Sequence, residues 1–478
     1  MGRRSAAELI ELVLDDDSFE SWDEPVDTGA HPEEYRSRLA AAAERSGADE
    51  SVLTGRGLVR GRPVAVVVNE FQFLGGSIGV AAAARITRAV RRATAAGLPL
   101  LASTATGGTR MQEGTPAFVK MVDISRALMD HRAAGLPYLV HLGDPTTGGV
   151  FASWGSLGHV TVGEPGARIG FLGPKVYEAL HGEPFPAGVQ AAENLAAHGV
   201  LDAVVPTEDL SALTDRVLRV LVDGPDRPSL PRRTGRPLAE RDAWASVTAT
   251  RAPDRIGVRD LLLHGGDSTV PLAASVEGER DDAVLVALTR LDGLPCVVVG
   301  QDRSREGARS PLGPAALRKA RRAMALAGEL RLPLVTVIDT AGADLSVEAE
   351  QGALSGEIAR CVAALATLTV PTVSVLLGQG TGGGALALLP ARTVVAAERA
   401  WLSPLPPEGA STIVHGSTEH AAAMARRQHV RAVDLLADGV VHAVVPERAG
   451  DTVADLARAV VAEVAACLSS NTPEDRVS

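Results

Sequence analysis

The chain alternates between short, nearly continuous apolar runs and longer stretches whose apolar residues recur three and four apart, the periods of buried strand and amphipathic helix. Residues 6–14 and 32–46 carry the helical spacing, and residues 54–60 and 64–69 read as strands joined by Gly61-Arg62 in a hairpin. An alanine-rich helix to Ala96 and a strand over 98–103 follow. From Pro116 a helix is predicted with Phe118, Met121, Val122, Leu128 and Met129 on one face, stopping at Gly135. Residues 138–142 are the next strand and Asp144 to Thr147 a turn, after which Gly148-Gly149 is predicted to open a helix over 150–157. Residues 160–162 and 169–171 read as strands, and a helical stretch ends at His198-Gly199.

The second half repeats this order. Strands are predicted over 283–289 and 295–300, a helix over 314–330, a strand over 334–339, a helix near 352–368, and a strand over 372–377 before a second glycine run. Pro99 recurs as Pro333 and Pro137 as Pro371, both at an offset of 234 (333 − 99; 371 − 137). Gly148 recurs as Gly383 at 235, and Ala203-Val204-Val205-Pro206 recurs letter for letter as Ala443-Val444-Val445-Pro446 at 240. A repeat this long is a duplicated domain, not a solenoid. Residues 222–237, with four prolines among charges, have linker composition, so domains are expected over 1–225 and 240–478. Strands alternating with helices place both in the α/β class.

Composition narrows the function. A chain of 478 residues with 46% hydrophobic residues can build two full cores. The net charge of −11 offers no basic field, so no nucleic-acid partner is expected. Cys296, Cys361 and Cys467 stand far apart without a CxxC pair; they read as core residues, and no metal or zinc site is expected. The N-terminal stretch turns acidic where a signal peptide would be apolar, and no apolar run is long enough to span a membrane. A cytoplasmic location is therefore expected.

The candidate chemistry lies where strands meet glycines. A strand feeding a glycine pair aims backbone N–H groups at a ligand, and glycine lets a substrate oxygen approach them closely. That is the construction of an oxyanion hole. Gly148 and Gly149 form one candidate, and Gly383, Gly384 and Ala385 the other. Two holes in one chain point to two carbonyl-type groups handled in one reaction. Gly378, Gly380 and Gly383 also spell a dinucleotide fingerprint, but Pro390 leaves the next helix too short for a βαβ crossover. Gly75 to Gly79 spell the pattern of a hydrolase elbow, yet the preceding strand ends near Asn69, too early to present Ser77 as a nucleophile. Arg85, Arg88 and Arg92 on one helix, and Arg318, Lys319, Arg321 and Arg322 on another, are candidates for holding phosphates against the default of solvated faces. Glu113 and Glu408 read as structural members of turns and His141 as a core histidine.

Several of these stretches resemble the bacterial acetyl-CoA carboxylase carboxyltransferase of the crotonase superfamily, the first half its β subunit and the second its α subunit. The carrying motifs in the first half are GGSIG (75–79), GGTRMQEG (107–114), LPYLVHLGDPTTGGVFAS (136–153) and EPGARIGFLGPKV (164–176). In the second they are RLDGLPCVVVGQ (290–301), IDTAGA (338–343), GQGTGGGALALL (378–389) and PPEGAS (406–411). The resemblance covers roughly 50–215 and 250–446 and implies two tandem crotonase-like (ClpP/crotonase) domains. It implies carboxyl transfer from carboxybiotin on a separate carrier protein to the α-carbon of acetyl-CoA or another short acyl-CoA, with the first half on the CoA side and the second on the biotin side. Gly75, Gly76, Gly107, Gly108 and Arg110, with Gly342 and Gly409, are thereby implied in binding substrate and cofactor, Arg110 either as a ligand or as an organiser of its loop. The implied partners are a biotin carboxylase and carrier chain, and a second copy in a dimer or higher oligomer, each site combining the first domain of one protomer with the second of its partner. Lys120 lies in a Val-Lys-Met fragment on a predicted helix and is not read as a biotinyl site. Two departures stand out. The four-cysteine ribbon of the β subunit is absent, and the Pro-Gly-Ala-Tyr-Pro-Gly segment of the α subunit is replaced by Ala341-Gly342-Ala343-Asp344-Leu345-Ser346. The rivals are a malonyl-type decarboxylase subunit of the same superfamily and a non-catalytic assembly subunit.

Overall fold

The computed structural model describes residues 4–233, 237–275, 278–305 and 312–470. The chain divides into two compact units, Met1–Arg219 and Val220–Ser478.

In the first unit the strands Val52–Val59 and Arg62–Asn69 pair antiparallel, with Glu20–Ser21 added antiparallel at the edge. From Arg62–Asn69 the sheet runs on in parallel through Leu100–Thr106, Tyr138–Thr147, Val160–Gly163 and Ala203–Val204. These strands are buried along nearly their whole length, which is why they read as continuous apolar runs and not as alternation. The helices Val80–Ala95 and Gly114–Ala133 pack together, their small Ala82, Ala83, Ala89 and Ala127 in one core with Ile86, Ile124 and Tyr138.

The second unit repeats the order strand for strand. Gly266–Pro271, Val284–Leu291 and Leu294–Gln301 are antiparallel neighbours. Leu334–Thr340, Thr372–Thr381, Thr393–Ala397 and Ala443–Val445 then continue in parallel. Even the irregularities recur. The register slips between Thr104 and Thr106 in the first sheet and between Ile338 and Thr340 in the second, just before each glycine turn.

Four expectations are corrected. Asp144 to Thr147 is no turn: the strand Tyr138–Thr147 continues through it and pairs there with Ile169–Gly170. The helix expected over 150–157 is absent. The Val150 carbonyl accepts from both Ser153 N–H (3.2 Å) and Gly155 N–H (2.9 Å), Ser153 leaves helical space (φ −141°, ψ −114°), and only the single turn Trp154–Ser156 follows. The helix after Gly114 does not bury one stripe of the expected residues. Met121 and Leu128 turn inward beside Ala117 and Ile124, whereas Phe118, Val122 and Met129, offset around the helix, stay exposed. The proline-rich stretch is no free linker either. Asp292 accepts from Ser229 and Leu230 N–H, both at 3.0 Å, and Arg232 and Arg233 pair with Glu463 and Asp451, so it runs along the second unit; residues 234–236 lie outside the described residues.

Candidate active site

At the end of each central strand the chain must turn where there is no room for side chains. In the first unit Gly108 (φ +101°) and Gly148 (φ +66°) adopt backbone that suits glycine. A Cβ on Gly108 would come 3.2 Å from the Thr147 carbonyl and 3.5 Å from Gly149 N, and one on Gly148 would come 3.6 Å from the Gly107 carbonyl. The two glycine loops thus abut backbone to backbone. A third strand of chain stacks on them: Gly107 N–H donates to Gly75 O, Ile78 N–H to Gly108 O and Arg110 N–H to Ile78 O, each at 2.9 Å. Gly76 packs the other way, its missing Cβ replaced by the Ala105 carbonyl.

The donors of this turn differ from those expected. Gly148 N–H is taken by Gly170 O at 3.1 Å, so Gly148 shapes the turn without offering a donor. Gly149 and Val150 N–H have no hydrogen-bond acceptor among the described residues. They are the free donors, and no helix dipole stands behind them.

The second turn is built likewise. Thr372–Thr381 feeds the helix Gly382–Leu386, whose first N–H groups, those of Gly382, Gly383 and Gly384, have no intrahelical acceptor. Ala385 is fully buried at the fourth position, the first where the helical ladder supplies an acceptor, so it closes the turn behind Gly383 and Gly384. A Cβ on Gly384 would sit 2.6 Å from Leu312 Cδ2, 3.2 Å from Ala343 N and 3.4 Å from Gly342 C. Gly342 therefore lies directly against this turn. Its surroundings mirror those of Gly108: Gly108 N–H donates to Thr106 Oγ1 at 2.9 Å, and Gly342 N–H to Thr340 Oγ1 at 3.0 Å. The altered segment after Ala341 keeps this threonine-held turn, then starts the helix Val347–Gln351 with Ser346 as its N-cap. Gly409, on the helix Pro407–His415, does not join the cluster; a Cβ there would meet only Pro406 and Leu405.

Arg110 is the organiser of its loop. Its guanidinium is buried against the Glu50 carboxylate, donates to Ser77 O at 2.8 Å and Ser51 Oγ at 3.1 Å, and lies over the Phe73 ring. Glu113 extends the network, accepting from Tyr35 Oη and from Val80 N–H at the start of the next helix, both at 2.6 Å. Removing one member of a buried pair leaves the other charge uncompensated, at about 3–5 kcal/mol. Arg110→Met should therefore lower the unfolding free energy of the first unit by about that much, read by denaturant titration; a loss within about 0.5 kcal/mol, typical of an unremarkable surface change, would contradict this role.

The remaining candidates resolve by their partners. Arg85 is buried and pairs with Asp49 at 2.9 Å and Asp23 at 3.3 Å, so it holds no phosphate; Arg88 and Arg92 on the same helix are exposed, beside Glu24 and Glu20. Arg318 and Arg321 converge on Glu357, Lys319 donates to Asp281 O and Val284 O, and Arg322 to Ala274 O. That cluster belongs to the fold. Glu408 pairs with Arg251, whose hydrogen bonds hold its carboxyl below the usual range. His141 is buried with Nδ1 2.9 Å from Ser103 Oγ, and burial pulls its pKa down to about 4, which leaves it a neutral core side chain. Lys120 pairs with Asp123 at 2.9 Å on its helix.

Local sequence gave no sign of Thr106, Thr340 or Thr381. The last precedes Gly382, and its buried hydroxyl has no partner among the described residues. Beside each glycine turn the surface is apolar: Met111 (81% exposed), Phe118 and Val122 in the first unit, and Leu345 (93%), Val347 and Leu386 in the second. Among the described residues no group of side chains could hold a metal ion, and no helix is long and apolar enough to cross a membrane.

The carboxyl transferase domain family matches residues 1–464. A probable biotin-dependent acyl-coenzyme A carboxylase beta3 subunit of Mycobacterium tuberculosis is 56% identical over 480 residues, covering 99% of this chain and 97% of the relative. The acetyl-coenzyme A carboxylase carboxyl transferase subunits beta/alpha of Saccharopolyspora erythraea is 41% identical over 489 residues, covering 99% of this chain and 85% of the relative. Among solved structures, transcarboxylase 12S, described as a hexamer assembly with hydrolysed methylmalonyl-coenzyme A bound, aligns with a TM-score of 0.77 at 21% identity, over 98% of this chain and 90% of that one. The shared fold is that of two tandem crotonase-like domains.

Proposed function

The chain belongs to the carboxyl transferase domain family, and from that premise we propose that it is the carboxyltransferase subunit of a biotin-dependent acyl-CoA carboxylase acting on acetyl-CoA or another short acyl-CoA. The observation that carries this reading is the pair of close-packed glycine turns at the strand ends, with Gly149 and Val150 N–H unpartnered among the described residues in the first and the Gly382 to Gly384 N–H groups without an intrahelical acceptor in the second. Carboxybiotin, on a separate carrier protein, supplies the carboxyl group. In this reading Gly149 and Val150 N–H stabilise the negative charge that develops on the thioester oxygen as the α-carbon gives its proton to the biotin nitrogen that the departing carboxyl group would free. Gly383 and Gly384 N–H do the same for the ureido oxygen as the carboxyl group leaves, and the unpartnered Thr381 hydroxyl and the Gly342 turn border that space. Each such donor contributes about 3–4 kcal/mol to a transition state where charge develops. Arg110, Glu50 and Glu113 pair with one another and keep the first loop in place. The expected setting is the cytoplasm, with malonyl-CoA or its analogue as product, feeding fatty acid synthesis.

The test combines the purified chain with a biotin carboxylase and carrier chain, ATP and radiolabelled bicarbonate over acyl-CoAs of increasing length. ATP-dependent label should enter a short acyl-CoA, and an avidin blot should mark the carrier and leave this chain blank. Loss of label from malonyl-CoA with no forward incorporation would make it a decarboxylase subunit. Binding of the partners with neither reaction would make it an assembly subunit.

A further inference from the structure

The carbonyls of Gly149 and Gly384 lie in the two glycine turns, and neither is satisfied by backbone; the strand register sets Gly148 against Gly382 and so Gly149 against Gly383, whose own carbonyl accepts from Ala387 N–H at 3.0 Å. The helix that starts at Gly382 is too short to cover Gly384 O, since Leu388 N–H goes to Ala385 O instead. Each carbonyl is held by a side chain. Gln301 Nε2 donates to Gly384 O at 2.7 Å, and Ser153 Oγ donates to Gly149 O at 2.5 Å.

The two clamps come from different places. Gln301 is fully buried at the end of Leu294–Gln301, and its own carbonyl accepts from Asp339 N–H at 3.0 Å, so one amide ties the neighbouring strand to the glycine turn. Asp339 is anchored in turn, accepting from Gln379 N–H at 2.9 Å and from Arg303 at 3.3 Å. The first unit carries Asn69 at the equivalent strand end, one methylene shorter. Asn69 reaches only Ser51 O (3.3 Å) and Gly76 O (3.4 Å), and its Oδ1 has no partner among the described residues. The shorter amide does not reach the turn, and Ser153, in its non-helical conformation four residues on, supplies the missing donor.

Glycine runs have wide backbone freedom, and a carbonyl shares one rigid peptide plane with the N–H of the next residue, so the aim of the donors in a glycine turn depends on what holds its carbonyls. We propose that Ser153 and Gln301 are positioning residues: by clamping Gly149 O, Ser153 fixes the peptide that carries the free Val150 N–H, and by clamping Gly384 O, Gln301 fixes the Gly384–Ala385 peptide that closes the second turn, so that the donors of each turn stay aimed at the oxygens on which charge develops. This rests on the reading above that the two turns are the oxyanion holes.

The test uses the full chain with its carboxylase and carrier partners. Ser153→Ala and Gln301→Glu each remove one donor, and the glutamate keeps the acceptor for Asp339 N–H. Each should lower kcat by about 10- to 100-fold while KM for acyl-CoA stays within about twofold, the signature of lost alignment in the transition state. Ser153→Thr, which keeps the hydroxyl, should restore the rate. Gln301→Asn, the residue this fold already accommodates at the equivalent place in the first unit, should keep the fold yet fail to restore it. If Gln301→Glu does not fold, Gln301→Asn and the serine pair still decide. Folded variants whose kcat stays near wild type, with only the melting temperature lowered, would overturn the proposal. A wild-type chain that transfers no carboxyl group would instead sink the functional reading beneath it.

Discussion

Gly149→Val and Gly384→Val should each leave carboxyl transfer at least about 100-fold below wild type, because a valine at Gly149 crowds the free Gly149 and Val150 N–H groups and one at Gly384 pushes its turn off Leu312 and the Gly342–Ala343 peptide, so that its donors lose their aim. The two substitutions should differ in stability. A Cβ at Gly149 meets Thr109 Oγ1 at 3.3 Å and little else, and φ there is not positive, so the first unit should melt close to wild type. At Gly384 the Cβ would press on Leu312 Cδ2 at 2.6 Å and on the Gly342–Ala343 peptide, so the turn must shift and some stability should go with it. Gly149→Val is therefore the cleaner probe. The measurement is labelled-bicarbonate transfer beside a thermal melt of each protein. Near-wild-type transfer by a folded Gly149→Val or Gly384→Val protein would show that the holes lie elsewhere.

The strands were legible in the sequence because parallel strands buried on both faces are near-continuous apolar runs, and the duplication exposed itself through prolines and glycines at nearly constant offsets. The glycine turns were legible for a related reason, since glycines directly after such a strand have few structural alternatives. What stayed hidden depended on partners distant in sequence. Arg85 looked available for phosphate until Asp49 and Asp23 came to it, and Arg318 and Arg321 until Glu357 did. Whether Gly148 N–H was free turned on Gly170, which no local pattern could place. The residues 150–157 were apolar enough for a helix, but the Ser153 backbone breaks away and its hydroxyl is spent on Gly149 O. Gln301 has the same character: a glutamine at a strand end carries no period, and its meaning comes from the Gly384 carbonyl 2.7 Å away.

Mixing the two inactive proteins, Gly149→Val and Gly384→Val, after dissociation and reassembly should restore about one quarter of wild-type transfer if the working unit is a twofold dimer with sites shared between protomers. The arithmetic follows from the resemblance-based proposal that the first unit of one chain works with the second unit of another. About half of the reassembled dimers are mixed, and each mixed dimer has one site built from the intact first unit of the Gly384→Val chain and the intact second unit of the Gly149→Val chain. Its other site carries both lesions. Pure dimers of either kind have one lesion in every site. The motivation within this chain is the apolar surface left beside each turn, Met111, Phe118 and Val122 in one unit and Leu345, Val347 and Leu386 in the other, which is costly to leave facing water and suited to a broad association. Subunit exchange is established first by mass-tagged chains, so that a negative result has meaning. If both turns of a site belonged to a single chain, every chain in the mixture would carry a lesion in its own site, and no ratio of the two proteins would regain activity. An inactive mixture with proven exchange would therefore return the site to one protomer, while recovery near one quarter would require two.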